Sequence, residues 1–177
     1  MKPASAGRSQ ATLTKTRAAT QPLRPHSKGD PLLQLDQSFG YLFKQAHRAF
    51  TRALDRRLKS HGITLAQWYF LRELWVEEDV TQRELSKRMD VSEPTTAVAL
   101  DLMEKAGLVG RQRDPAQRNS VRVKLTAKGR RLKDSLLPIA DDVNRQAAKG
   151  LKPAGLDGLR TAILAMVSNL NAEPADP

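Results

Sequence analysis

The sequence predicts a mainly α-helical protein that carries one small β-hairpin. Apolar residues recur at steps of three and four over most of the chain after residue 30, which is the period of an amphipathic helix. Strict alternation of apolar and polar residues is confined to one stretch, residues 108–125. Only eight of the 177 residues are aromatic although 40% are hydrophobic, so the core must be built mostly from Leu, Ala and Val.

Length and charge limit the class of protein further. A chain of 177 residues fits one domain, and its 30 basic against 19 acidic residues give a net charge of +11. Such an excess predicts a polyanionic partner, most often nucleic acid and less often an acidic membrane surface. The absence of cysteine excludes disulfides, thiolate zinc sites and thiol nucleophiles. The apolar runs are too short for a membrane span, so no membrane partner is expected.

Residues 1–30 differ in composition from the rest of the chain. They contain six basic residues and no acid before Asp30. They hold too little apolar surface to offset the entropy of ordering, so the segment is predicted to be a disordered basic arm. Three interpretations stay open: the arm grips DNA phosphates, it is an organelle transit peptide, or it is a solvated tail.

Two helices are predicted next. The first begins at Asp30-Pro31, an N-cap followed by Pro at N1, and ends at His61-Gly62. At about 42 Å it is longer than a small domain needs, which predicts that part of its apolar stripe meets another chain. Thr64 caps the second helix, which reaches about Glu77. Its inward residues are predicted to be Leu65, Trp68, Leu71, Leu74 and Trp75.

The middle of the chain predicts a helix-turn-helix. Thr81 and Glu84 form a capping box, and Leu85 and Met89 then face the core. A second cap, Ser92-Glu93-Pro94, opens a helix that ends at about Ala106-Gly107. Two short helices joined by so tight a turn are typical of this motif.

Residues 108–125 are predicted to form two strands joined by a turn. The turn begins at Asp114-Pro115 and ends at Asn119-Ser120. The apolar positions of these strands are Leu108, Val109, Val121, Val123 and Leu125. The basic positions are Arg111, Arg113, Arg122 and Lys124. The alternation predicts a hairpin with one apolar and one cationic face, a wing directly after the helix-turn-helix.

The C-terminal part predicts two more helices. Thr126 caps one that reaches about Lys149 and that Pro138 should kink or split. The last helix, about 154–171, shows apolar residues at near-heptad spacing, and this pattern also predicts contact with a partner chain. Residues 172–177 are expected to fray.

This order of elements resembles the MarR family, the multiple-antibiotic-resistance type of regulator. The matching segments are GITLAQWYFLREL (62–74), TQRELSKRMDVSEPTT (81–96) and LMEKAGLVGRQRDPAQRNSVRVKLTAKG (102–129). The resemblance implies a homodimeric transcription factor, usually a repressor, in the bacterial cytoplasm and on the nucleoid. Within a family-type domain over 31–171, it implies a winged helix-turn-helix at 62–125 and dimerisation helices at 31–61 and 126–171. Small aromatic or phenolic ligands commonly bind between these two parts of such proteins.

The resemblance also implies which residues contact double-stranded DNA. The helix opened by Ser92 would enter the major groove. Its candidates at base edges are Glu93, Pro94, Thr95, Thr96 and Val98. No basic residue occurs from Met89 to Glu104, so Arg-to-guanine readout by this helix is excluded. Glu93 accepts from a cytosine amino group or only favours the helix N-terminus.

Phosphate contacts are then expected from cations on the preceding helix and on the wing. The candidates are Arg83, Lys87, Arg88, Arg111, Arg113, Arg122 and Lys124. Arg118 either enters the minor groove or pairs with Asp114 and stiffens the turn.

A ligand pocket for an aromatic carboxylate is the second site hypothesis. Its candidate residues are Tyr41, His47, Trp68, Arg72 and Trp75. The alternative is that both Trp residues belong to the core and that His47 is a surface histidine.

No enzymatic activity is expected. The three histidines are scattered, and no Ser–His–Asp set, glycine-rich phosphate loop or zinc motif is present. No metal or cofactor is therefore predicted. The leading hypothesis is a homodimeric repressor that a small ligand releases from a pseudo-palindromic operator. A ligand-independent or nonspecific architectural DNA-binding protein is the alternative, and an RNA- or protein-binding winged helix is a further rival.

Overall fold

The computed structural model describes residues 38–114 and 120–172. The chain divides into two compact units, Met1–Phe43 and Lys44–Pro177. In the first unit the described residues are 38–43, where the Leu42 amide donates to the Ser38 carbonyl at 2.9 Å. The predicted basic arm, the helix start at Asp30-Pro31 and Arg118 lie outside the described residues, as does most of the C-terminal segment expected to fray.

The first two helices agree with the sequence pattern. Helix α1 (Phe39–Leu58) closes in a 3₁₀ turn (Lys59–His61), and Gly62 stops it with a φ of 67°. Such a positive φ is a conformation that glycine adopts without steric cost. Helix α2 (Leu65–Val76) begins with a reciprocal capping box between Thr64 and Gln67. Its buried residues include Phe70, which the apolar spacing had not singled out.

The helix-turn-helix consists of α3 (Gln82–Arg88) and α4 (Glu93–Lys105). The Thr81 hydroxyl accepts the Glu84 amide at 3.1 Å, as predicted, while the Glu84 carboxylate binds Arg88 at 2.7 Å. In the turn, Asp90 adopts a φ of 51° and so reverses the chain direction. The Ser92 hydroxyl accepts the Thr95 amide at 3.3 Å and begins α4.

The sheet has three strands, whereas the sequence predicted two. Strand β1 (Val80–Thr81) pairs with β3 (Val121–Leu125), and β3 pairs with β2 (Val109–Arg113), both antiparallel. A strand of two residues is too short to show alternation, which is why the sequence pattern missed β1.

The register corrects the prediction of one apolar and one cationic wing face. Arg111 lies opposite Val123, and Arg113 lies opposite Val121. Directly opposed residues share a face of the sheet, so these two arginines lie on the same face as the valines. The cationic face is formed on β3 by Arg122 and Lys124. The sequence already contained this information, because Arg111 and Arg113 follow Val109 at steps of two, and residues two apart in a strand lie on the same face.

The C-terminal helices are α5 (Ala127–Ala147) and α6 (Pro153–Asn171). Thr126 caps α5 through a bond from the Gly129 amide at 3.0 Å, and Pro138 lies inside one continuous helix. The predicted split at Pro138 is therefore wrong. Helix α6 contains no buried residue in the single chain. Its exposed apolar side chains include Leu159, Leu164, Val167 and Leu170.

One core holds the second unit together. It is formed by α2, α3, α4, the sheet and α5, with contributions from the end of α1. Its fully buried members include Trp68, Leu71, Leu74, Leu85, Leu100, Met103, Val123 and Leu136. Packing of this kind fixes α4 and the wing on a common base, so the surface they present is set by the core.

Candidate nucleic-acid interface

The start of α4 presents a short polar and apolar surface to solvent. Ser92, Glu93, Pro94 and Thr95 are exposed, and Val98, one turn further, is 61% exposed. The Ser92 and Thr95 hydroxyls lie 2.8 Å apart and hydrogen-bond each other. Five of the six residues predicted on this helix therefore share an accessible surface.

Thr96 is the exception, and the prediction that it reaches a base edge is wrong for this fold. Its side chain is 0% exposed and lies in the core beside Leu100 and Met103 on the buried side of α4. Its hydroxyl has no hydrogen-bond partner among the described residues. The family resemblance placed it among the base contacts, whereas helical geometry places it four residues before Leu100 on the inner face.

Replacement of Thr96 by Val is expected to stabilise the protein by about 1–2 kcal/mol. A buried hydroxyl without a partner has lost its hydrogen bonds to water, and a methyl group of the same shape does not pay that penalty. Urea denaturation of the wild type and the variant measures the change. Thr95→Val, which alters an exposed hydroxyl one position away, is the control and should not stabilise. Destabilisation by Thr96→Val would show that the hydroxyl has a partner after all.

A polar groove of about 460 Å³ lies between α3 and the start of α4. It is lined by Arg83, Ser86, Lys87, Asp90, Val91, Ser92 and Glu93. The Arg83 guanidinium approaches the Glu93 carboxylate at 3.4 Å, but both side chains remain mostly exposed. Lys87 is exposed and has no ion pair within residues 38–114 and 120–172. The groove therefore offers one unpaired and one weakly paired cation beside the helix start.

Arg111 is not free for a phosphate in this conformation. Its guanidinium donates to Glu104 at 2.8 and 3.1 Å and to Asp101 at 2.5 Å, both on α4. The hydrogen bonds from Arg111 lower the pKa of Glu104. A lowered folded pKa means that the pair stabilises the protein above the unfolded carboxylate pKa and is lost as pH falls through the folded value. Arg111 thus fastens strand β2 to α4.

Arg122 is engaged in the same way on the other face of the wing. Its guanidinium donates to the Asp79 carboxylate at 2.8 Å, to the Asp79 carbonyl, and to the Asp114 carboxylate at 3.1 Å. Asp114 is only 8% exposed, so Arg122 neutralises a buried charge. Hydrogen bonding to Arg122 also lowers the pKa of Asp79, which lies in the turn before β1 with a φ of 62°.

The acids that pair with these arginines were not predicted from the sequence. Asp101 and Glu104 are three residues apart, so they share a face of α4, and this spacing was a usable signal. Asp79 gave no such signal, because its contact with Arg122 spans 43 residues. Arg88 is likewise paired, with Glu77 and Glu84, and Lys124 lies 3.5 Å from Asp79. Arg113 is exposed and, among the described residues, has no ion pair.

A separate cavity of about 160 Å³ lies between α1, α2 and α5 in the second unit. Three of the predicted ligand residues line it: His47, Trp68 and Arg72. The Arg72 guanidinium carbon lies 5.9 Å from the centre of the Trp68 ring, and Trp68 Nε1 is buried without a hydrogen-bond partner among the described residues. Its other lining residues include Phe50, Tyr69 and Asn144, which the sequence analysis did not select.

The structure gives separate results for the two remaining ligand candidates, Trp75 and Tyr41. Trp75 donates its indole N–H to the Gly129 carbonyl at 3.0 Å and packs edge-on against Trp68, with ring centres 5.7 Å apart. Trp75 does not line the cavity, which agrees with the alternative prediction that it is a core residue. Tyr41 belongs to the first unit and stays a prediction.

The described residues contain no cluster of three or more His, Asp or Glu side chains that would hold a metal ion. Over the same ranges, no helix is both long and apolar enough to cross a membrane.

Comparisons with known proteins point to one family. The family model described as the MarR family matches residues 61–118. The HTH-type transcriptional regulator TtmR of Methylorubrum extorquens (strain PA1) is 33% identical over 102 residues, which are 58% of this chain and 52% of TtmR. This chain thus spans about half the length of that curated relative.

Solved structures agree in fold. The crystal structure of the transcriptional regulator PA3341 is 32% identical, with a TM-score of 0.68 over 77% of this chain and 100% of that one. A mutant MarR from E. coli, solved in complex with operator DNA, has a TM-score of 0.68 and 24% identity over 72% of this chain and 91% of that one. At that identity the second likeness shows the fold alone.

Proposed function

Since this chain belongs to the MarR family, we propose that it is a transcriptional regulator that binds double-stranded DNA sequence-specifically as a homodimer. On this proposal each protomer inserts α4 into the major groove of one half of a pseudo-palindromic site. The regulator is a repressor, and a small aromatic ligand releases it.

One observation carries the proposal. Pro94, Thr95 and Val98 on α4 are exposed, and Ser92 and Glu93 at the start of the same helix line the α3–α4 groove together with the exposed cation Lys87. A major groove about 12 Å wide admits one helix, and methyl groups of Thr and Val match the thymine methyl. Lys87 and Arg113 then contact phosphates and set the position of the helix.

Exposed apolar residues on α6 support the homodimer. Leu159, Leu164, Val167 and Leu170 are each more than half exposed in the single chain. Exposed large apolar residues of this kind are expected to be covered by a partner helix. Leu159, Ile163, Val167 and Leu170 follow each other at steps of four, four and three, and this near-heptad spacing suits a second copy of the same helix.

The cavity between α1, α2 and α5 supports the ligand. A cavity of about 150 Å³ is large enough to take benzene, and this one also offers the Arg72 guanidinium and His47. The carboxylate of an aromatic ligand would pair with the exposed Arg72, and the ring of that ligand would contact Phe50 and Tyr69 on the cavity wall. The ligand releases DNA only if it binds one dimer geometry more tightly than the other. Thermal-shift measurements with substituted benzoates, followed by DNA release in parallel, test this part.

Selection of binding sites from random duplex DNA tests the main proposal. Two related half-sites, with centres about 34–36 Å apart along the duplex, are expected for a two-fold symmetric dimer. Enrichment of no sequence at all would contradict sequence-specific regulation.

The architectural alternative has an observation of its own in its favour. No basic residue occurs from Met89 to Glu104, so α4 has no bidentate guanine contact to offer. Equal affinity for a selected site and for random duplex at about 0.15 M salt would favour that alternative. A ratio of about 10³ or more would favour the regulator.

The pair of substitutions Lys87→Gln and Arg113→Gln is expected to reduce the salt dependence of DNA binding. Each cation that contacts a phosphate contributes about 0.9 to the slope of log K against log salt, and the proposed homodimer loses four such cations, so the slope should fall by about 3.6. Fluorescence anisotropy with a selected duplex over a range of salt concentrations measures it. Lys133→Gln with Lys149→Gln, which remove the same charge elsewhere, is the control. An unchanged slope in the test pair would remove both residues from the interface.

A further inference from the structure

The positive charge of this protein is not concentrated where the proposed DNA-binding module lies. Residues 62–125 contain ten basic and ten acidic residues. The first 60 residues contain twelve basic and three acidic residues, and therefore carry most of the net charge of +11. Because residues 62–125 have no net charge, we expect the first 60 residues to contribute to the affinity for a polyanion as well.

Four of these cations form a row on α1. Lys44, Arg48, Arg52 and Arg56 follow each other at intervals of four residues, and all four side chains are exposed. Four-residue steps place them on one ridge of the helix, about 18 Å long at 1.5 Å per residue. We call these four residues the α1 ridge.

No carboxylate neutralises the α1 ridge in the described part of the chain. The acid within α1, Asp55, binds Lys59 at 2.8 Å, and none of the four ridge residues has an ion pair within residues 38–114 and 120–172. Like charges four residues apart on a helix destabilise it. The row is therefore a cost to the folded protein alone.

Neighbouring Arg57 shows what a structural arginine on this helix does. Its guanidinium donates to the Ala53 carbonyl at 2.9 Å and to the Gln146 side chain of α5 at 2.7 Å. It lies on the side of α1 that also buries Leu54 and Leu58. The four ridge side chains are exposed and make no side-chain hydrogen bond or ion pair within residues 38–114 and 120–172, so they hold no neighbouring element in place there.

We propose that the α1 ridge is a second, sequence-independent binding surface for the phosphate backbone of duplex DNA, separate from α4 and the wing. The choice of duplex DNA as the polyanion rests on the proposed function. A duplex carries one negative charge about every 1.7 Å along its axis, so an 18 Å row of four cations meets several phosphates. Three of the four are arginines, which bind phosphate through two parallel hydrogen bonds.

A membrane surface fits this helix less well. A helix that lies on a membrane buries its apolar side among the lipid chains. In α1, Leu54 and Leu58 of that side are buried in the protein core, and Phe50, which is 40% exposed, belongs to the part of the stripe that is expected to meet a partner chain. Binding of duplex DNA requires only that the cationic side of α1 is exposed.

The test is the variant Lys44→Gln, Arg48→Gln, Arg52→Gln and Arg56→Gln in the full chain, titrated with a random-sequence 40-base-pair duplex by anisotropy over about 50–200 mM KCl. If all four cations of each protomer contact phosphates, the proposed homodimer loses eight contacts and the slope of log K against log salt falls by about 7.2, or by about 3.6 if only one protomer engages the duplex in this way. The affinity of the variant then drops about 10⁴-fold or about 10²-fold less, respectively, over that salt range than the affinity of the wild type. The matched control carries Arg131→Gln, Lys133→Gln, Lys149→Gln and Lys152→Gln, which remove the same charge from exposed positions, and its slope should stay near the wild-type value.

A thermal melt of the same variant separates binding from folding. Glutamine is a good helix former, and relief of the like-charge repulsion should leave the melting temperature equal to or above that of the wild type. A slope equal to that of the wild type overturns the proposal. A lower melting temperature with weaker self-association would instead show that the ridge pairs with acids of a second copy, and this also overturns it.

Two further measurements separate the remaining outcomes. Ridge-dependent binding to phosphatidylserine vesicles, with no change in the DNA slope, would assign the ridge to membranes and overturn the proposal. Selection from random DNA by the wild type judges the proposed function independently. If it enriches no sequence while the ridge variant still lowers the slope on random duplex, the regulator proposal fails and the α1 ridge stands.

Discussion

The double substitution Leu159→Asp with Leu170→Asp is expected to weaken self-association of the protein about 10³-fold. Both side chains lie on the apolar side of α6 and are 51% and 70% exposed in the single chain. Four leucines are lost from a two-fold interface, and about 1 kcal/mol each is a moderate value for side chains of this exposure. Four such losses amount to about three powers of ten in the dissociation constant.

Sedimentation velocity over a range of protein concentrations measures this effect. Thr161→Asp with Ser168→Asp adds the same charges to exposed positions on another side of α6, and this control should still dimerise. On the proposed function, binding to a two-half-site duplex should weaken in step with dissociation, because each protomer would contact one half-site. If the leucine variant dimerises as tightly as the wild type, α6 does not form the interface.

Replacement of Gly129 by Ala is expected to lower the free energy of unfolding by about 3 kcal/mol. Gly129 lies in the first turn of α5, where a Cβ atom would clash with the Leu108 carbonyl oxygen and come within 3.1 Å of Leu125 Cδ2. The oxygen belongs to the backbone beside β2, so it cannot move aside as a flexible side chain would. Gly129 also accepts the Trp75 indole N–H, so a shift of α5 loosens α2 as well.

Urea denaturation measures this loss, with Gly110→Ala as the control. Gly110 lies on β2, has open space where its Cβ would be, and shows no positive φ. The same added methyl group there should be neutral or slightly stabilising, because alanine loses less entropy on folding than glycine. A Gly129→Ala variant as stable as the wild type would mean that the contact between α5 and β2 is looser than described.

Elements with strong local signals were predictable from the sequence. Thr64, Ser92 and Thr126 each cap the helix that follows them, as the pattern of a hydroxyl before an apolar run predicted. Gly62 ends the long first helix through its positive φ. These features depend on residues close together in the chain, and the sequence displays such relations directly.

The candidate interface was predictable in location but not in detail. Thr96 and Val98 are two residues apart in one helix, yet the polar one is buried and the apolar one exposed. The wing arginines were placed correctly on their strands, but their partners are fixed by the register and by Asp79, far away in sequence. Local pattern therefore identified the surface, and long-range pairing decided which of its cations remain free.

The contacts of Arg111 with Asp101 and Glu104 have a mechanical consequence. They join the C-terminal part of α4 to β2 through three charge-assisted hydrogen bonds, so the angle between helix and hairpin is held from within each protomer. A bound effector would then find little freedom to bend one against the other. On the proposed function, an effector is expected to change the distance between the two DNA-binding parts of the homodimer and not their internal geometry. A change of a few ångströms in that distance would no longer match the spacing of two successive major grooves.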